Sequence, residues 1–151
     1  PNDLVYGWRK AGGILCESCR VGGREYIIAG LGLNVGYSQR ELDFPSKLRA
    51  TSLLIEEGRT WDLETLLLSL LTELEIRKGW EDGRLLEEYR RNLAYLGERV
   101  RIEPPLSVLA RPVPAGKSLE GIVEGVDGEG HLLLRVEGGT LRLASGDLLE
   151  P

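Results

Sequence analysis

Leucines recur at three- and four-residue steps between Leu63 and Leu96, and past Gly97 this rhythm gives way to short apolar runs alternating with polar residues. A helix buries a face of period 3.6 and a strand one of period 2, so no single element accommodates both rhythms. The chain must combine helices and sheet in successive blocks, an α+β arrangement. Its first block opens with three strand-like runs, Leu4 to Tyr6, Arg9 to Glu17 and Glu25 to Val35, separated by Gly7, Gly22-Gly23 and Gly36. Links this short predict an antiparallel meander.

Tyr37 to Arg49 is polar and contains Pro45, so it reads as a loop, with Phe44 anchored against the core. Ala50 to Glu57 reads as a short helix stopped by Gly58. Asp62 can cap a second helix, in which Leu63, Leu66, Leu67, Leu70, Leu71 and Leu74 share a face expected to be buried. Asp82 can cap a third, with Leu85, Leu86, Tyr89, Leu93 and Leu96 inward and Glu87, Glu88, Arg90 and Arg91 in solvent, until Gly97 stops it. Beyond it, Arg99 to Glu103, Leu119 to Val126, His131 to Val136 and Thr140 to Leu143 read as strands. Pro104-Pro105, Pro112-Val113-Pro114 and Asp127-Gly128-Glu129-Gly130 supply the turns, and Ser145-Gly146-Asp147 closes what is expected to be a small SH3-like barrel. The expected domains are residues 1–97 and 98–151.

Charge and composition narrow the function classes. With 24 acidic and 19 basic side chains the formal charge is −5, against the basic footprint of most nucleic-acid binders and against an anionic membrane surface. No run approaches the roughly 20 apolar residues that span a bilayer, and no charged segment leads into an apolar signal, so a cytoplasmic location is expected. Cys16-Glu17-Ser18-Cys19 is the only CxxC. Zinc would need two further ligands, and a redox pair normally opens a helix, whereas this one ends a strand-like run, so the thiols read as incidental. His131, the single histidine, reads as a partly exposed strand residue with no ligand set nearby.

Arg9-Lys10-Ala11-Gly12-Gly13-Ile14-Leu15 runs a lysine straight into a glycine pair and an apolar strand. Glycine lets a ligand approach the backbone, and the ammonium offers a point charge with three donors, which together suit a carboxylate or phosphate. Gly30 and Gly32 weaken a second strand in the same manner, a sign of close approach by a ligand or by a neighbouring strand.

Taken in order, Pro1-Asn2-Asp3, Arg9 to Glu17 and Ala29-Gly30-Leu31-Gly32-Leu33-Asn34-Val35 resemble the signature of the biotin protein ligases. Phe44-Pro45 leading to Ala50-Thr51-Ser52-Leu53-Leu54 resembles the segment after the family's asparagine, and Gly121 to Asp127 with Ser145-Gly146-Asp147 resembles its C-terminal domain. The resemblance implies the later part of a catalytic domain related to class II aminoacyl-tRNA synthetases, followed by the SH3-like barrel. It implies ATP, Mg²⁺ and biotin as ligands, with biotinyl-5′-AMP formed first and biotin then transferred to a lysine of a biotin carboxyl carrier protein. Lys10 would be the catalytic cation at the biotin carboxylate. Gly13, Gly30 and Leu33 would line the biotin pocket beside it. Asn2, Asp3, Asn34, Ala50 and Ser52 would meet the nucleotide, with Asp3 suited to Mg²⁺.

The family's Gly/Arg-rich loop over the adenylate has no counterpart here. The chain also starts without methionine where the motif is already under way, so it reads as a fragment expected to be inactive alone. The resemblance leaves room for a homodimer paired through the central sheet. A lipoate protein ligase and a non-catalytic adaptor built on the barrel are the alternatives. The Gly121 to Asp147 tail favours biotin over lipoate, and the acidic balance argues against an RNA-binding adaptor.

Overall fold

The computed structural model describes residues 2–43, 49–109 and 117–149, the side chains at 105 and 106 excepted. Phe44-Pro45 and Pro112-Val113-Pro114 lie outside the described residues. Packing divides the chain into two compact units, Pro1–Thr72 and Glu73–Pro151. The division falls inside a helix, whereas the sequence rhythm changes at Gly97.

In the first unit β1 (Asp3–Tyr6), β2 (Arg9–Val21) and β3 (Arg24–Leu33) form the expected antiparallel meander, and β4 (Arg49–Ala50) adds in parallel to β2. Gly22 and Gly23, both at positive φ (57° and 78°), make the left-handed pair that a tight hairpin needs to match the twist of its strands. The ladder therefore runs to Val21 opposite Arg24, beyond the predicted end at Glu17.

Ala50 sits in β4 and not in a helix. α1 (Leu53–Glu57) begins only after Ser52, whose Oγ accepts from the Ile55 amide at 3.2 Å, and ends at Gly58 with φ 67°. α2 (Leu63–Lys78) starts where the Asp62 carboxylate accepts from the Thr65 amide at 2.8 Å, as the sequence predicts. The expected burial of its leucine face is corrected: no residue of α2 is buried, and Leu63, Leu67 and Leu74 are 65, 56 and 60 % exposed. Leu68 and Ile76 extend the apolar surface around the helix.

In the second unit α3 (Asp82–Arg91) stops at Asn92 and not at Gly97, and its N-cap is Glu81, not Asp82. Leu85, Leu86 and Leu93 are half-buried, while Tyr89 and Leu96 are exposed, which corrects their inward placement. β5 (Arg99–Val108), β6 (Leu119–Val126), β7 (Leu132–Val136) and β8 (Gly139–Leu149) close into an antiparallel barrel around Val100, Ile102, Val123, Val126, Leu134 and Leu143. Ser145-Gly146-Asp147 is part of β8 and not a closing turn, since Asp147 pairs with Glu103. Two bonds from the Arg90 guanidinium to the Val126 carbonyl (3.1 and 2.8 Å) tie α3 to this barrel.

Candidate functional site

Lys10 and Gly13 are three apart on β2, and on a regular strand they would face opposite ways. The pairing of β1 with β2 removes that conflict. Asp3 faces Gly13 and Leu4 faces Gly12, but Val5 then faces Lys10, so β2 carries Ala11 as one extra residue. Such a bulge re-aims the side chains next to it. A Cβ at Gly13 would stand 3.7 Å from Lys10 Cε and 3.6 Å from Asp3 Oδ1, so all three share one face. Asp3 Oδ1 is 2.5 Å from Lys10 Nζ. The bulged Ala11, itself buried, accepts the Asn34 amide on its carbonyl at 2.7 Å.

Asn2, Asp3, Lys10, Gly13, Ile14, Leu15, Gly30, Leu31 and Gly32 line an open groove of about 400 Å³. Gly13 stands opposite Gly32 and Leu15 opposite Gly30, so the three glycines form one bare stretch of backbone. A Cβ at Gly13 would meet nothing closer than 3.5 Å, at Gly30 nothing closer than 3.8 Å and at Gly32 nothing closer than 4.0 Å. The fold does not demand glycine at these positions, which leaves them open to a ligand. Gly12 is different, because a Cβ there would lie 2.3 Å from the Gly32 carbonyl oxygen. It serves the close approach of β2 and β3. Of the candidate residues, the groove thus gathers Asn2, Asp3, Lys10, Gly13 and Gly30, and it adds Gly32. The signal for Gly32 was its two-residue spacing from Gly30, which puts both on one face.

Leu33, Asn34, Ala50 and Ser52 do not line this groove. Leu33 pairs with Gly12 and so falls on the opposite face from Gly32. Asn34 Nδ2 donates to the Thr51 carbonyl at 3.0 Å, and the Thr51 amide donates to the Lys10 carbonyl at 2.8 Å. Buried Ser52 donates through Oγ to the Tyr37 carbonyl at 2.5 Å. Glu56 on α1 accepts from Arg9 at 2.6 Å and from Thr51 Oγ1 at 2.5 Å. These bonds join the strand that carries Lys10 to α1.

Cys16 and Cys19 lie on β2 opposite Ala29 and Tyr26. A three-residue step along a regular strand puts their side chains on opposite faces, so the CxxC is neither a dithiol pair nor half a metal site. In the barrel, one ligand atom each from Asp127, Glu129 and His131 lie within 4.8 Å of one another. The Arg142 guanidinium already supplies the cation there, 2.6 Å from Asp127 and 2.9 Å from Glu129. Burial pushes the Asp127 carboxyl up, but the His131 and Glu129 amides and Arg142 outweigh it and hold it well below the usual range.

Residues 112–148 match the family model for the biotin protein ligase C-terminal domain. The biotin–[acetyl-CoA-carboxylase] ligase of Mycobacterium tuberculosis is 33 % identical over 152 aligned residues, which cover 99 % of this chain and 51 % of that protein. Among solved structures, the apo biotin protein ligase of Aquifex aeolicus superposes with a TM-score of 0.71 at 25 % identity, covering 100 % of this chain and 63 % of that one. The same enzyme in complex with biotin and ATP gives 0.68 at 25 % identity, covering 98 and 58 %. The chain spans about half the length of the curated relative it matches. By sequence and by fold, the chain is similar to the biotin protein ligases, and its residues 112–148 match their C-terminal domain.

Proposed function

We propose that this chain carries part of the catalytic site of an ATP-dependent biotin protein ligase. The biotin carboxylate attacks the α-phosphate of ATP, releasing pyrophosphate and leaving biotinyl-5′-AMP. A lysine of a biotin carboxyl carrier protein then attacks the mixed anhydride and releases AMP. The observation that carries the reading is the placement of Lys10 over the glycine floor of one groove. Both steps gather negative charge where carboxylate and phosphate meet, and a cation already in place stabilises it without reorganising. Gly13, Gly30 and Gly32 leave room for the flat ring system, and Asn2 stands at the edge of the same groove. Leu33, Asn34 and Ala50 act from behind it by pairing with or bonding to β2, the strand that carries Lys10, and Ser52 caps α1.

Mg²⁺ would accompany ATP. Asp3 is the acid assigned to it by the resemblance, but this carboxylate is engaged by Lys10, and the only cluster of three metal-ligating side chains among the described residues lies in the barrel. The groove does not fit as a ready Mg²⁺ site. A carrier-protein partner and a cytoplasmic location belong to the same proposal, as does a homodimer formed along the outer edge of β3, which pairs only with β2 among the described strands.

The test is biotin-dependent exchange of pyrophosphate into ATP by the complete gene product. Lys10→Ala should lower the exchange rate by about 100-fold or more. Near-normal exchange by this variant overturns the assignment, and a thermal shift with lipoate and ATP but none with biotin and ATP moves the reading to lipoate ligation.

A further inference from the structure

We infer that Asp3 is a positioning residue for Lys10, and that its carboxylate serves the reaction through this contact and not through a metal. The inference rests on the ligase reading above. Lys10 is 43 % exposed on a flexible four-carbon stem, and Asp3 Oδ1, 2.5 Å from its Nζ, is its ion-pair partner among the described residues. One N–H anchored on Asp3 fixes the ammonium over Gly13, and two remain for a carboxylate and a phosphate oxygen. Asp3 is itself held by the strand, since it faces Gly13 in register and the Ile14 amide donates to the Asn2 carbonyl at 2.7 Å.

The pair carries no net charge, so it adds little to the attraction of an anion in the ground state. Its contribution comes when charge concentrates in the transition state, where a donor held in place has nothing left to reorganise. A magnesium ion on Asp3 would have to take the carboxylate from Lys10 and then stand beside the ammonium, cation against cation.

Asp3→Asn and Asp3→Glu in the complete gene product separate the two roles. Asp3→Asn should lower kcat for adenylate formation by about tenfold or more, with the biotin KM unchanged or lower because the charge of Lys10 is now unopposed. The Mg²⁺ dependence should stay as in the wild type, and Asp3→Glu should recover part of the rate. In a Lys10→Ala background Asp3→Asn should cost less than about twofold more. An unchanged kcat, or a loss restored by added Mg²⁺, overturns the inference.

If the wild type forms no adenylate, the ligase reading falls and the pairing is judged without it. In lysine-selective ¹⁵N NMR the Lys10 ammonium resonance, identified by its loss in Lys10→Arg, should shift or broaden in Asp3→Asn. A resonance that stays unchanged overturns the ion pair itself.

Discussion

The barrel and the sheet of the first unit are built from similar apolar residues, yet they dispose of them differently. The barrel closes on itself and keeps Val100, Ile102, Val123, Val126, Leu134 and Leu143 out of water, whereas the β2–β3 hairpin leaves Leu15, Val21, Ile27 and Ile28 59 to 79 % exposed. Closure removes the sheet's edges and lets a short chain complete its own core. An open sheet must find its cover elsewhere, but it offers a bare, accessible face on which a groove can be laid. The groove lies in the first half of the sequence and most of the buried apolar side chains lie in the second.

The sharpest way to break this contrast is truncation in each half. Leu134→Ala in the barrel should cost about 3 kcal/mol, because the side chain is fully buried and leaves a cavity. Ile27→Ala in the hairpin, where the side chain is 79 % exposed, should cost no more than about 0.5 kcal/mol. Chemical denaturation of the complete gene product measures both. A loss at Ile27 approaching that at Leu134 would mean that the hairpin is covered in the complete protein.

Glycines sharpen the contrast within the groove itself. Gly12→Ala puts a Cβ against the Gly32 carbonyl oxygen and should cost about 2–3 kcal/mol by forcing the strands apart. Gly13→Ala meets only ordinary contacts and should leave the midpoint of unfolding within about 0.5 kcal/mol while weakening biotin binding by isothermal titration calorimetry. Equal stability losses at both positions would deny that Gly13 is kept open for a ligand. Gly121 is the barrel's counterpart of Gly12, since a Cβ there would stand 2.5 Å from the Arg135 carbonyl oxygen, and Gly121→Ala should be as damaging.

Ser52→Ala should cost about 1 kcal/mol by removing the N-cap of α1, read in the same denaturation experiment. A cost below a few tenths would show α1 to be held by its bonds to Arg9 and Tyr6 instead.

The smallest effect is one of pH. The Asp127 carboxyl titrates lower in the folded barrel than in the unfolded chain, so the stability it confers is present above the ordinary Asp range and is lost as pH falls below it. Asp127→Asn should therefore show a shallower fall in melting temperature on acidification below pH 3.8, the ordinary aspartate value. Parallel melting curves for variant and wild type would remove Asp127 from the acid response.

Much of this was legible because local chemistry decided it. Gly22-Gly23 forced the hairpin turn, Asp62 capped α2, Gly58 ended α1, and the alternation after Gly97 announced the barrel. The ordered pieces around Lys10 were legible as a resemblance, and the groove gathers five of the residues it pointed to. What stayed hidden depended on partners distant in sequence. The extra residue Ala11 is visible only once β1 is laid against β2, and the special need for glycine at position 12 only once β3 is. The ion pair of Asp3 with Lys10 follows from that same register, whereas the resemblance pointed Asp3 towards Mg²⁺. Leucine spacing in α2 described a face correctly and its burial wrongly, because periodicity records which residues stand together and not what covers them.

The bulge at Ala11 also makes β2 a chain with two phases. Up to Lys10 one parity of residue number looks into the groove, and from Gly13 onward the other does. Deleting Ala11 would straighten the strand and leave Lys10 two residues from Gly13, so the two would still share a face, but the Asn34 amide would lose the carbonyl it donates to. The extra residue therefore supplies a bend and a buried acceptor, and the three-residue step from Lys10 to Gly13 works only because the bulge absorbs it. Spacing counted together with the bulge is thus part of the proposed site, as much as the identity of the lysine is.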